Sequence, residues 1–220
     1  MDVFECIRTR RSIRKFKELK PVPWDKVVTI LEAGKFAPNA GNLHNFKFIA
    51  IRDPVIRKKN AEAANQPWME QATLHIIICS EPVKSKRFYG TRGERLYTVQ
   101  DCAAAAENML LTAHSLGLGG CWVGAFDEDK IRHYQNLPET VMVHSILAIG
   151  YADEKPESPP KYRIETCTFI ENWGQRKNIP FSQFGWWSVR WEKMGRDTMI
   201  AMKKAVRKFK EKRKEKMMER

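Results

Sequence analysis

The chain has 220 residues, 43% of them hydrophobic and 30% charged, and a formal net charge of +13. This is the length and composition of an ordinary globular protein, with room for one substantial domain or one domain with an extension. The charge is uneven: residues 181–220 hold 13 Lys and Arg against 5 Asp and Glu, which leaves 26 against 21 for the rest, so the body does not carry the charge of a nucleic-acid binder.

In chain order, the pattern predicts a short helix over Asp2–Thr9, with Val3, Phe4 and Ile7 at one-face spacing. Pro21-Val22-Pro23 breaks the chain. An amphipathic helix follows over Trp24–Phe36, with Val27, Val28, Ile30, Leu31 and Ala33 as its apolar face. Ala37-Pro38-Asn39-Ala40-Gly41-Asn42 has the composition of a loop. Phe46–Ile51 alternates as a strand and stops at Asp53-Pro54; Val55–Ala64 is helical; Leu74–Cys79 is a buried strand. Residues 82–95 are charged and poorly periodic, with Gly90 and Gly93, and are expected to form a mobile loop. Tyr97–Leu116 is the strongest helix. It is apolar nearly all round and therefore central or at a subunit interface, with its stop marked by Gly117, Gly119 and Gly120. Cys121–Phe126 is a short strand or turn, Asp127–Tyr134 a small helix capped by its aspartate, and Val141–Ile149 a further strand. Helices and strands mix without regular alternation, which indicates an α+β fold.

The five cysteines, Cys6, Cys79, Cys102, Cys121 and Cys167, are widely spread and contain no C-x-x-C pair. A disulfide framework, a zinc site and an iron–sulfur cluster are unsupported. With no leader-like amino terminus and no long uncharged apolar run, a soluble cytoplasmic protein is expected.

The stretch from Arg8 to Lys15 packs five cations and two hydroxyls into eight residues. Arginine forks match phosphate oxygens bidentately and a serine hydroxyl adds a neutral donor, so an anion among them is one reading; a solvated helix end is the other. Four pieces taken together resemble the FMN-dependent nitroreductase family: Arg10-Arg11-Ser12-Ile13-Arg14-Lys15-Phe16, Ala37–Asn42, Leu116–Gly124, and Lys161-Tyr162-Arg163 after a proline-rich turn. The resemblance implies an α+β sandwich, a central mostly antiparallel sheet flanked by helices. It also implies an intertwined homodimer with one FMN in each of two interface clefts. Residues 1–180 would form that flavin-binding domain and residues 181–220 an aromatic, then basic, helical extension.

The resemblance also assigns roles. Arg10, Arg11 and Ser12 would hold the FMN phosphate and ribityl chain, with Arg14 reaching phosphate or the pyrimidine edge of the ring. Lys161 and Arg163 would close on the same phosphate; on composition alone they are exposed loop cations. The loop with Pro38, Asn39 and Asn42 would come from the partner subunit and lie along the ring. The family commonly has Ser where Asn39 stands and Gln-Pro-Trp where His44-Asn45-Phe46 stands. Gly124 and Ala125 would bring backbone near flavin N5, with glycine allowing the close approach. No side chain is marked as a catalytic acid, base, nucleophile or metal ligand, as befits chemistry carried by a cofactor. The implied activity is an NAD(P)H oxidoreductase that reduces nitroaromatics, quinones or similar acceptors by a ping-pong hydride mechanism. The alternatives are oxygen-dependent or dehalogenating flavin chemistry, or a binding module whose basic tail meets nucleic acid or an anionic membrane.

Overall fold

A computed structural model of the chain describes residues 1–175; the aromatic and basic extension expected over 181–220, and the boundary before it, lie outside the described residues. The chain divides into a unit Met1–Ser158 and a second unit that begins at Pro159.

The first unit is built on four strands, β1 (Phe46–Ile51), β2 (Leu74–Ser80), β3 (Gly119–Val123) and β4 (Met142–Gly150), in the order β1-β2-β4-β3. Every pairing is antiparallel, as expected. β2 is central and buried along its whole length, which is why its sequence is a continuous apolar run rather than an alternation. Period-two geometry divides its residues between two cores. Leu74, Ile76 and Ile78, with Leu147 and Ile149 of β4, face α2 (Trp24–Lys35) and α5 (Thr98–Ser115). Ile77 and Cys79, with Ile146 and Ala148, join Ala61 of α3 (Pro54–Ala63) and Ile131 of α6 (Glu128–Tyr134) on the other face. The result is a sheet with helices on both sides.

Local signals account for several boundaries. Asp53 Oδ1 accepts from the N–H groups of Val55 and Ile56, at 2.8 and 3.0 Å, and Pro54 takes the first helical position of α3. Asp127 caps α6 by accepting from Lys130 N–H. α5 ends in a left-handed Gly117 (φ 76°), and Leu118 N–H reaches back to the Ala113 carbonyl at 2.9 Å.

Two expectations are corrected. Residues 82–95 are not a loop: they form α4 (Pro82–Arg92) and a π-helical turn, Gly93–Tyr97. Its periodicity is hidden because the helix buries only Pro82 and Ser85 and is interrupted at Gly90, where φ is 60°. Gly119 and Gly120 do not end the long helix; they lie within β3. In α1 (Val3–Thr9), the face of Val3, Phe4 and Ile7 is exposed, and Cys6 alone is buried.

Candidate flavin site

The arginine-rich segment continues from α1 as extended chain along the edge of the sheet. Ser12 bridges Gly120 in parallel fashion, and Ile13 N–H donates to the Gly120 carbonyl at 3.1 Å. Further on, Phe16 bridges Ala152, and Lys17 N–H and the Lys15 carbonyl bond to Tyr151 and Asp153, each at 2.9 Å. The Glu154 carboxylate accepts both the Arg14 and the Lys15 backbone N–H groups.

Ile13 and Phe16 are buried, whereas Ser12 and Arg14 are exposed and Arg10 is half-buried. Gly124 lies just past the end of β3, the strand whose Gly120 is bridged by Ser12. Gly124 and Ala125 are exposed. A Cβ built on Gly124 would meet nothing nearer than the Trp122 indole nitrogen at 3.6 Å, so a planar group has room to approach that backbone.

The glycines of β3 act differently. A Cβ on Gly119 would stand 2.7 Å from Ile13 Cγ1, and one on Gly120 2.7 Å from Leu110 Cδ2. Without side chains at both positions, the arginine segment and α5 can close onto β3.

The cations are not equivalent. Arg10 lies 3.7 Å from Glu107 of α5, with both side chains partly exposed, so the pair is weak and the guanidinium can turn to a stronger anion. Arg11 spends its Nη1 on the carbonyls of Arg8 and Arg10, at 2.8 and 2.7 Å, and its Nε is buried without a partner. Arg14 sits with its guanidinium carbon 6.0 Å from the centre of the Trp68 ring.

The Pro38–Asn42 loop closes on itself through Asn39. Its Oδ1 accepts from His44 N–H at 3.0 Å and its Nδ2 donates to the Ala37 carbonyl at 3.3 Å. The short 3₁₀ turn Ala40–Asn42 follows. Asn42 is exposed with φ 54°, and its side chain takes no hydrogen bond among the described residues. Beneath the loop lies Asp101 of α5. Burial raises its pKa, against the hydrogen bond from Ala40 N–H that favours the charged form. In the second unit, Lys161 and Arg163 are exposed, and Arg163 precedes α7 (Ile164–Cys167) with its Nε 3.5 Å from Glu165.

The structure thus leaves Ser12 and Arg14 exposed and Arg10 half-buried on the segment bridged to β3, with Gly124 open past that strand's end, and ties Arg11 to its own backbone. Glu107, Glu154 and Asp101 were not singled out from sequence. A lone carboxylate far along the chain carries no signal until the fold places it against a cation or an open N–H.

The family model described as "Nitroreductase family" matches residues 7–66 and 54–151. A protein of Archaeoglobus fulgidus named "Putative NADH dehydrogenase/NAD(P)H nitroreductase" is 36% identical over 160 residues, covering 69% of this chain and 88% of that one. Among solved structures, an FMN-dependent nitroreductase from Clostridium difficile superposes with a TM-score of 0.62 at 27% identity, covering 71% of this chain and 91% of that one. An NADPH:FMN oxidoreductase from Vibrio harveyi, solved with NAD+, gives a TM-score of 0.71 at 25% identity, with 79% and 78% covered. The chain belongs to the nitroreductase family.

Proposed function

We propose that this protein is an FMN-dependent NAD(P)H oxidoreductase, acting in the cytoplasm on nitroaromatic, quinone or similar small acceptors by a ping-pong mechanism. The observation that carries the reading is the set of accessible donors Arg10, Ser12 and Arg14 on the segment bridged to β3, together with the open backbone at Gly124, in a chain of this family. Bound FMN would supply the redox chemistry, taking hydride from NAD(P)H and passing it to the acceptor.

The chain's own residues bind and orient. Arg10 and Arg14 offer charge-assisted donors to phosphate or ring oxygens, with the Ser12 hydroxyl between them. Arg11 contributes mainly by fixing the turn out of α1. Lys161 and Arg163 add cations for the phosphate. Gly124 and Ala125 present backbone N–H groups without side-chain obstruction. The Pro38–Asn42 loop, given by the partner subunit, sets the Asn42 amide against the ring as donor and acceptor.

A homodimer is part of this reading. Val3, Phe4 and Ile7 are 72%, 40% and 51% exposed on one short helix, and Phe36 is 76% exposed at the end of α2. An apolar face of that kind is suited to a subunit contact. Light scattering of the FMN-loaded protein tests it: a dimer with one FMN per subunit is expected, and Ile7→Glu should yield monomers with weakened FMN binding. A monomer that binds FMN stoichiometrically would overturn the shared-site reading.

A further inference from the structure

The 39–45 loop holds three consecutive-neighbourhood residues in the left-handed region: Gly41 at φ 59°, Asn42 at 54° and His44 at 49°. Non-glycine residues persist there where the surroundings over-determine them. The loop's own bonds are local: Asn42 N–H to the Asn39 carbonyl at 3.2 Å, Leu43 N–H to the Ala40 carbonyl at 3.3 Å, and His44 N–H to Asn39 Oδ1. These shape the loop but do not fix it to the body.

The loop is fixed to the body by the Lys84 ammonium of α4, which donates to the Leu43 carbonyl, and by a buried polar cluster. Asp101, 5% exposed on α5, accepts the Ala40 N–H at 3.0 Å through Oδ1. Asn45, fully buried at the other end of the loop, donates from Nδ2 to Ser85 Oγ at 2.5 Å. Ser85 is itself fully buried on α4, and Glu81 N–H, just before that helix, donates to the Asn45 carbonyl at 2.9 Å. The cluster is not an economical core filling, because Asp101 Oδ2 and Asn45 Oδ1 are left buried without partners. A leucine or alanine layer would avoid both orphans.

We propose that Asp101 is a positioning residue for the cofactor: it pins the start of the 39–45 loop through Ala40, while Asn45 ties the loop's end to α4, so that the left-handed turn presents Asn42 outward in one geometry. The proposal rests on the reading that this loop contacts FMN.

The test compares FMN affinity and the visible circular dichroism of bound flavin for the wild type, Asp101→Ala and Asp101→Asn, alongside hydrogen exchange of the wild type. Asparagine keeps an acceptor for Ala40 N–H, so Asp101→Asn should bind FMN within about three-fold of wild type and keep its flavin spectrum. If the loop of Asp101→Ala holds the binding geometry only about one-tenth of the time, FMN binds roughly ten-fold more weakly, with a changed flavin spectrum. In the wild type, the Ala40 amide should exchange far more slowly than that of Gly41. Equal FMN affinity in Asp101→Ala, equal weakening in both variants, or Ala40 exchanging as fast as Gly41 would each overturn the role. Should Asp101→Ala not fold, Asp101→Asn and the exchange pattern decide. A wild type that takes up no FMN refutes the proposed function instead, and the exchange pattern still decides whether Asp101 anchors the loop.

Discussion

Gly119→Ala puts one methyl group into the seam between the arginine segment and β3. The added carbon would lie 2.7, 3.0 and 3.1 Å from Cγ1, Cβ and Cγ2 of Ile13. All three atoms belong to a β-branched side chain that is stiff at χ1 and cannot simply swing aside. Ile13 is 6% exposed, so it has no outward path either. The strain must therefore move the backbone, which is held by the Ile13–Gly120 hydrogen bond and the Ser12–Gly120 bridge. Overpacking of this kind costs about 1–3 kcal/mol. A loss of ~2 kcal/mol corresponds to a Tm drop of about 4–8 °C in a protein of this size. Ser12 and Arg14 shift with the backbone, so FMN affinity should fall as well. Urea unfolding and FMN titration of Gly119→Ala measure both effects, and Ile13→Ala in the same chain should recover part of the stability lost to the clash. Wild-type stability in Gly119→Ala would refute the close-packed seam. Lost stability with unchanged FMN affinity would refute the link between that seam and the site.

On the proposed reading, in which Arg163 contacts the phosphate, Arg163→Ala should cost roughly 2 kcal/mol of FMN affinity, about thirty-fold, read by fluorescence titration; unchanged affinity would remove Arg163 from the site. His75 is fully buried in β2, with Nε2 2.9 Å from the Met69 carbonyl and Nδ1 unpartnered, and burial pushes its pKa down to about 4. The folded form therefore resists protonation that the unfolded chain accepts below about pH 6.5. Its stabilising share is complete above that pH and is lost as pH falls toward 4, by up to about 3 kcal/mol. Denaturant unfolding between pH 7 and 4.5, with the His75 ring followed by NMR, checks this; an imidazole titrating near 6.5 in the folded protein would contradict it.

Much of the fold was legible because its signals are local. The apolar run at 74–79, the Asp53-Pro54 and Asp127 caps and Gly117 each act within a few residues. α4 was not legible, since a surface helix with two buried residues and a glycine break has almost no periodicity to detect. The glycines at 119 and 120 look like more punctuation beside Gly117; the Ile13 and Leu110 side chains that exclude a Cβ there come from distant segments. The candidate site divides the same way. The density of cations around Arg10, Ser12 and Arg14 is visible in the sequence, whereas the counter-groups Glu107 and Glu154 and the loop anchor Asp101 are set by tertiary placement. The family resemblance supplied the roles that alternation and charge could not.

The most direct test is an anaerobic visible spectrum of the purified protein, reconstituted with FMN if needed, before and after NADPH or NADH. The account predicts the two-banded absorbance of oxidised flavin, one FMN per subunit, bleached by the dinucleotide and restored by a quinone or nitroaromatic. A protein that stays colourless in excess FMN, or whose bound flavin keeps its colour with both dinucleotides, would contradict it.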